Sequence, residues 1–382
     1  MKPRFELAQV IDRYRQEFEQ QYHPNRYIGG VLTALQQCRT SALGGHVDRC
    51  DTCGHIQISY NSCRNRHCPK CQGNRREEWI RKRMGDLLPV PYFHVVFTVP
   101  DLLNPLFLHR AALMYNILFA AVRQTIEQFS FSRLQVETGM FAVLHTWGQN
   151  LGLHPHIHCV VPGGGLNYKN QWKSVPVSDN GKVFLFPVRQ LSLVFRAKFI
   201  TMLQQQLPQD SQFISKLYKT QWVVYAKEPF GGPQQVIEYL GRYTHKVAIS
   251  NHRIQNIDSR GVSFTWRDYR DNREKLMTLS GTEFLRRFCQ HIVPKHFVRI
   301  RHFGLLSCAK RKVLRMIQKS LKVKHTSLSV SPKNHEGHSI NEALFYCCPK
   351  CKTGQMQIVG RWFSGRDPPG FVKYLIKSIQ AP

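Results

Sequence analysis

Leu153-His154-Pro155-His156-Ile157-His158-Cys159-Val160-Val161-Pro162 decides how the rest of the chain is read. Ile157, Val160 and Val161 are β-branched, as strands prefer, and Pro155, with no N–H to give a central ladder, marks the start of the strand. Side chains alternate faces along a strand, so His156 and His158 point one way and Ile157 the other. Their α-carbons sit about 6.6 Å apart at a rise of ~3.3 Å per residue, so two imidazoles can lean onto one ion. Histidine is a poor filler for the inner face of a sheet. The pair therefore reads as ligands of a divalent ion that keeps positions open for a phosphate oxygen. A third ligand is needed, and Gln149, on the connection into the strand, is the first choice, with His154 and His145 as alternatives.

Outward from this strand, apolar strands alternate with amphipathic helices. A helix is expected over 4–22 and another over 75–88. Tyr92-Phe93-His94-Val95-Val96-Phe97-Thr98-Val99 reads as a strand, 103–128 as a long helix, and 140–146 as the strand before the histidines. Helices are expected at 189–207, 233–244 and Glu283–His291, with a strand at 221–226. Turn signals at Asp258-Ser259-Arg260-Gly261 and Asp271-Asn272 make 247–279 a hairpin meander. This mixture predicts an α+β domain around a largely antiparallel sheet.

In the 233–244 helix, Tyr239 and Tyr243 are four residues apart, one turn from each other on one face. Val236, Ile237, Leu240 and Thr244 form the core stripe, and the tyrosines flank it with both hydroxyls able to reach solvent. Two aromatics at this spacing are usually packing. Beside a metal the pair gains a second use: a phenol, with a pKa near 10, becomes a useful nucleophile where an ion polarises phosphorus in an in-line displacement. A tyrosine attacking a DNA phosphodiester conserves the bond energy as phosphotyrosine, so the strand can be rejoined elsewhere, and two tyrosines permit two transfers. Arg242 and Lys246 lie close enough in sequence to hold phosphate.

Twelve cysteines in a chain without a signal-peptide pattern are read as ligands, not disulfides. Cys50-x2-Cys53 and Cys68-x2-Cys71 are two knuckles, each followed closely by glycine, and together complete one closed tetrahedral zinc site. Cys38, His46, Cys63 and His67 bring the ligand supply to what a second zinc requires. Interleaved and sequential pairings give the same spacings, so the partition stays open. Arg64, Arg66, Lys70, Arg75, Arg76, Arg81, Lys82 and Arg83 surround the knuckles as a phosphate-contacting surface. Cys347-Cys348-Pro349-Lys350-Cys351 looks like a knuckle without its mate, for which His335 and His338 are candidates.

The 382 residues carry 54 Lys+Arg against 24 Asp+Glu, a formal net charge of +30, with 42% hydrophobic residues. That is enough apolar material for real cores, which excludes a disordered basic tail. The excess charge calls for a polyanionic partner, nucleic acid before membrane, because no apolar run reaches the ~18–20 residues of a spanning helix. A soluble, cytoplasmic protein is expected. The basic, aromatic stretches 264–270 and 297–312 would suit a single-strand channel.

These residues resemble a known family. His156-Ile157-His158 resembles the histidine-hydrophobe-histidine motif of HUH endonucleases, and Tyr239-x3-Tyr243 their two-tyrosine signature. Tyr60-Asn61-Ser62-Cys63-Arg64-Asn65-Arg66-His67-Cys68-Pro69-Lys70-Cys71 is similar to the zinc-binding domain heading bacterial rolling-circle transposases, and Thr146-Trp147-Gly148-Gln149-Asn150, Pro162-Gly163-Gly164-Gly165 and Tyr239-Leu240-Gly241-Arg242-Tyr243-Thr244 resemble further phrases of that family. The resemblance implies an HUH-type palm with the histidine strand central and the tyrosine helix alongside, Mg²⁺ or Mn²⁺ at the histidines, and zinc at the cysteines. It implies cleavage of single-stranded DNA at element ends through a 5′-phosphotyrosine, then transfer to target DNA, in a bacterial, nucleoid-associated setting. The expected division is an N-terminal helix (1–30), a zinc-binding, DNA-contacting domain (31–88), a catalytic domain (89–325), and a linker and tail (326–382). A plasmid relaxase or replication initiator would share the chemistry, and a non-catalytic zinc-containing nucleic-acid binder would share the charge.

Overall fold

The computed structural model describes residues 3–72, 80, 85–176, 185–227, 235, 236, 241, 246–268, 270–325, 347–363, 370, 373 and 374. In chain order the elements are α1 (Leu7–Tyr22), α2 (Arg26–Gln36), β1 (Gly44–Cys50), β2 (Ile56–Tyr60), β3 (Tyr92–Thr98), α3 (Asn104–His109), α4 (Ala111–Phe129), β4 (Gly139–Trp147) and β5 (Leu153–Pro162). There follow β6 (Gly164–Leu166), β7 (Trp172–Ser174), α5 (Val188–Gln206), α6 (Ser211–Lys219), β8 (Val223–Ala226), β9 (Ile254–Asp258), β10 (Gly261–Asp268) and β11 (Arg273–Leu279). The chain continues through α7 (Gly281–Cys289), β12 (Ile300–Gly304), α8 (Arg311–His325) and β13 (Met356–Phe363).

The histidine strand β5 is the middle of a five-stranded antiparallel sheet ordered β12-β4-β5-β3-β8. One face is a packed core. Phe93, Val95 and Phe97 of β3, Ala142 and Leu144 of β4, and Ile157, Cys159 and Val161 of β5 are buried against α4 and α5. Those helices present apolar residues at helical spacing, such as Leu191, Phe195, Phe199 and Leu203, and Phe195 meets Phe97 edge-on with centroids 5.1 Å apart. Burying a phenylalanine this fully is worth about 3–5 kcal/mol against truncation to alanine. The other face carries the histidines at one end. At its other end Tyr92, Phe141 and Val160 share an apolar cluster with Leu314, Ile317 and Leu321 of α8 and with Val236.

Three boundaries differ from expectation. β5 starts at Leu153, so Pro155 lies inside it. The β4 ladder shifts register between His145 and Trp147, and the β3 ladder ends at Thr98 opposite His156, so neither neighbour needs an N–H from residue 155. The helix over 103–128 is two, broken at Arg110. The basic stretch after Lys295 supplies an edge strand, β12, as well as a helix. The meander over 247–279 forms as β9, β10 and β11.

The N-terminal module is a second sheet, ordered β13-β1-β2. The tail expected to stand apart thus returns, pairing β13 antiparallel with β1 from Gly44 opposite Phe363 to Cys50 opposite Met356. α1 and α2 join the meander, α7 and Cys38, Cys68 and Cys71 in one buried cluster. α1 comes so close to α7 that a Cβ on Gly281 would meet the Tyr14 ring at 2.1–2.3 Å. Among the described residues no helix is long and apolar enough to cross a membrane.

Candidate functional site

Strand register brings three imidazoles together. His145 of β4 lies directly opposite His156 of β5, and Val143 opposite His158, so His145, His156 and His158 share a face. Their ring nitrogens lie within 4.8 Å of one another. Burial pushes His156 down to about 4, opposed by the His154 carbonyl and helped by the charges of His154 and Lys246. His158 falls well below the ordinary value, through burial first and then the neighbouring imidazoles. Both are neutral at pH 7, as a ligand must be. His156 Nδ1 donates to the His154 carbonyl at 2.7 Å, which leaves the lone pair on Nε2. His158 Nδ1 lies 2.9 Å from His94 Nε2. The donor set, three imidazole nitrogens on a sheet face with one tautomer already fixed, fits a divalent ion with positions left open.

His94 was not singled out as functional from the sequence, although the signal was present. It sits in β3 on the same face as Val96, which pairs with His158. It is 3% exposed, and burial holds it down at about 3.

The third side chain beside the pair is His145. Gln149, the first choice from sequence, lies on the turn after β4, where its carbonyl accepts from the Arg253 guanidinium. It lines a cavity of about 370 Å³ with Arg253, Trp266, Arg267 and Glu274 of the meander. His154 has its Nδ1 3.9 Å from Asp101 Oδ1. Tyr239 and Tyr243 lie outside the described residues, as does Arg242. Val236, three residues before Tyr239, is fully buried in the cluster with Tyr92, Phe141 and Val160, residues of the histidine-bearing sheet face.

The cysteines form two sets of four, and neither is the pair of knuckles expected. Cys38, Cys63, Cys68 and Cys71 make one, and Cys50, Cys53, Cys348 and Cys351 the other. Sulfur separations are 3.4 Å for Cys38–Cys71, 3.6 Å for Cys63–Cys71, 3.7 Å for Cys50–Cys351 and 3.6 Å for Cys53–Cys348. These are far beyond a disulfide's ~2.05 Å and near the ~3.8 Å edge of a tetrahedron built on Zn–S bonds of ~2.3 Å. Both sets therefore have the spacing of a closed, four-thiolate zinc site. The lone C-terminal knuckle finds its mate in Cys50 and Cys53 because β13 pairs with β1. Gly354 is needed there, since a Cβ would stand 2.5 Å from Cys50 Sγ.

Neither set of four includes His46 or His67. His46 Nε2 lies 3.4 Å from Asp48 Oδ2. His67 is buried beside Cys68, and burial, then Arg299 and Arg66, pushes it down to about 3. Arg75, Arg76, Arg81, Lys82, Arg83, His335 and His338 lie outside the described residues.

Residues 10–99 match the family described as "Transposase zinc-binding domain", and residues 139–313 the family described as "Putative transposase". "Putative transposase y4qJ" of Sinorhizobium fredii is 39% identical over 95% of this chain and 97% of its own length. The chain belongs to this transposase family. "Transposase for insertion sequence element IS801" of Pseudomonas savastanoi pv. phaseolicola is a further relative, 31% identical over 72% of this chain and 70% of its own. A solved conjugative relaxase, TrwC, bound to oriT DNA matches 61% of this chain and 72% of its own at 14% identity and a TM-score of 0.25, too low to carry any argument. Within this transposase, the histidine strand falls in the 139–313 match and the first cysteine set in the 10–99 match. Cys348 and Cys351 lie beyond both.

Proposed function

We propose that this transposase cuts single-stranded DNA at element ends with Tyr239 or Tyr243, assisted by Mg²⁺ or Mn²⁺ held by His145, His156 and His158. The observation that supports this best is the convergence of three imidazoles on one sheet face, at the end away from its apolar cluster. The buried Val236, three residues before Tyr239 in sequence, supports it too, because it packs on that same face. Such an ion would polarise the scissile phosphate and neutralise developing charge. The tyrosine oxygen bonds to phosphorus, and the bond from phosphorus to the 3′-oxygen breaks. The phenol proton is balanced by the proton gained on the departing 3′-hydroxyl. The 5′-phosphate stays on tyrosine until a 3′-hydroxyl of target DNA attacks the same phosphorus and releases the phenol. Lys246, whose charge is felt by His156 and His158, adds a cation for the phosphate. Gln149, on the turn leading into β5, is kept as a contact to the DNA strand or to the ion.

We further read residues 89–325 as a palm-like catalytic domain and 31–88, together with the returning tail, as the DNA-contacting module. The test uses single-stranded oligonucleotides from the element's ends with Mg²⁺ or Mn²⁺. A covalent protein–DNA adduct forms on denaturing gels and is lost with chelator. Changing Tyr239 and Tyr243 together to Phe abolishes it, and His156→Ala lowers it sharply. Cleavage that survives the double tyrosine change would refute the nucleophile assignment, and cleavage untouched by His156→Ala would refute the metal assignment.

A further inference from the structure

We infer that the groove on the β13-β1-β2 sheet is a second, non-catalytic site that grips single-stranded DNA. The inference rests on the reading of this chain as a DNA-strand transferase but uses none of its catalytic residues. The groove encloses about 1280 Å³. That exceeds the ~300–1,000 Å³ of small-molecule sites and suits a run of polymer.

Its chemistry is one-sided. Arg39, His46, Arg64 and Arg361 line it; the described lining residues include no carboxylate, and Asp48 stands just outside them, its Oδ2 3.1 Å from Ser59 Oγ and 3.4 Å from His46 Nε2. Register explains the arrangement. Ser59, His46 and Arg361 stand opposite one another across the three strands, so their side chains form one polar row on one face. Two residues further along β13 on that face, Phe363 pairs with Gly44, whose lack of a side chain leaves the phenyl ring bare beside the row. Phe363 is 66% exposed. An exposed ring set among cations on a sheet face is the platform on which unpaired bases stack while cations hold the backbone. A duplex keeps its base faces stacked on one another and has no use for that ring.

Trp362 gives an independent sign of a missing partner. It lies on the other face of the sheet from Arg361 and Phe363, packed with Val47, Ile58 and Tyr60, and is 3% exposed where it lines the groove, yet its indole N–H has no hydrogen-bond partner among the described residues. A buried donor without an acceptor costs about 1–3 kcal/mol. The groove is lined by residues of both faces, so a phosphate or base oxygen entering on this one would satisfy it. The ring is fixed in place, since a Cβ on Gly45 would stand 2.8 Å from it. Arg361, Trp362 and Phe363 all come from the C-terminal strand, so the zinc held by Cys50, Cys53, Cys348 and Cys351 builds this groove from the two ends of the chain.

The test is fluorescence anisotropy of the full, zinc-loaded chain with labelled single-stranded oligothymidylate and with duplex DNA, without added Mg²⁺ or Mn²⁺. Phe363→Ala is expected to weaken single-strand binding about 5- to 150-fold, from stacking worth ~1–3 kcal/mol per base, and to leave duplex binding unchanged. Arg64→Ala with Arg361→Ala should lower the slope of log affinity against log salt by about 1.4, at ~0.7 per phosphate contact on a single strand. Bromodeoxyuridine-substituted DNA should photocrosslink to the peptide holding Phe363 or Tyr60. Wild-type binding by variants that keep two zincs per chain, equal loss for duplex and single strand, or crosslinks only elsewhere would each overturn the groove. The adduct assay separates the two readings. Groove variants that bind weakly beside a wild type that never forms adduct sink the strand-transfer reading alone. Normal adduct formation with groove variants that bind as wild type sinks the groove alone.

Discussion

Replacing His94 by phenylalanine tests whether one hydrogen bond sets the metal competence of the histidine centre. His94 Nε2 and His158 Nδ1 are 2.9 Å apart, their rings tilted by only 8° with centroids 5.1 Å apart. That separation is little more than the nitrogen–nitrogen distance plus two ring radii, so the rings meet edge to edge, not face to face. Burial keeps both imidazoles neutral at pH 7, so a single proton lies between the two nitrogens. If His158 donates it, His158 Nε2 keeps a lone pair for an ion. If His94 donates it, the proton of His158 sits on Nε2 and blocks coordination. His94 must therefore act as the acceptor in the metal-binding state.

Phenylalanine keeps a flat ring but removes the acceptor. His158 would then lose the His94 acceptor of its Nδ1 proton, at about 1–3 kcal/mol, or move that proton to Nε2. Outer partners of metal-bound histidines are worth about 10–100-fold in metal affinity, and the loss expected here is of that size, or ~1.4–2.7 kcal/mol. Titration of the chain with Mn²⁺, followed by the electron paramagnetic resonance of the free ion, reads it directly. His94→Gln, which can accept through Oε1, should recover part of the loss. Zinc content should not change, because the cysteines are on other elements. A phenylalanine variant that folds and binds Mn²⁺ as tightly as wild type, or a glutamine variant no better than it, would refute the tautomer argument.

Gly281→Ala should destabilise the fold by about 1–3 kcal/mol, because the new methyl collides with the Tyr14 ring between α1 and α7; urea unfolding reads this, and an unchanged midpoint would contradict the packing. Changing Cys348 and Cys351 together to Ser should lower zinc from two ions per chain to one by elemental analysis and expose residues 347–363 to limited proteolysis. His291 donates from Nε2 to the Leu151 carbonyl and accepts at Nδ1 from Thr146, and burial pushes it down to about 4. The unfolded chain, titrating near 6.5, therefore binds the proton first. Stability should fall as pH drops from about 6.5 to about 4, by up to ~1.4 kcal/mol per unit from this group, with no contribution above that window. His291→Asn should flatten the fall in urea titrations; an unaltered slope would assign it to other groups.

Much of the sheet was legible because its signal is local. Alternation in 92–99 and 156–161 fixed strands and faces, and Ile157 does enter the core opposite the histidines. The spacing of Phe195, Phe199 and Leu203 announced α5. The third imidazole was only half legible. His145 has the right parity on β4, but its place opposite His156 depends on strand register, which no short stretch of chain encodes. Gln149 is nearer in sequence, yet the turn between Gly148 and Gly152 carries it to the meander. The zinc partition was illegible for a stronger reason. Cys50 and Cys351 are 301 residues apart, and only the pairing of β13 with β1 joins them. β12 was masked by Arg301 and His302, since an edge strand can carry charge where a central one cannot.

The zinc module and the histidine centre belong to one packed body. Cys38, Cys68 and Cys71 lie in the same buried cluster as Trp147, Phe264 and Phe284, so the first zinc is set into apolar core and not onto a surface finger. Arg66, in the loop between Cys63 and Cys68, donates to the Phe297 carbonyl at 2.5 Å and to that of Pro294 at 3.4 Å. Two residues on, the Arg299 carbonyl accepts from Leu144 of β4 and extends the β12 ladder. Trp147 closes the circuit from the other side, stacking on His145 with centroids 4.8 Å apart and planes 20° apart. His145, proposed as a ligand, is thus held by an indole that shares a buried cluster with Cys38, Cys68 and Cys71. Metal affinity at such a centre depends on ligands being held in place before the ion arrives, because each freed side chain must be ordered again on binding. A zinc at the first cysteine set would contribute to the proposed histidine centre in that sense, by fixing the wall against which His145 rests.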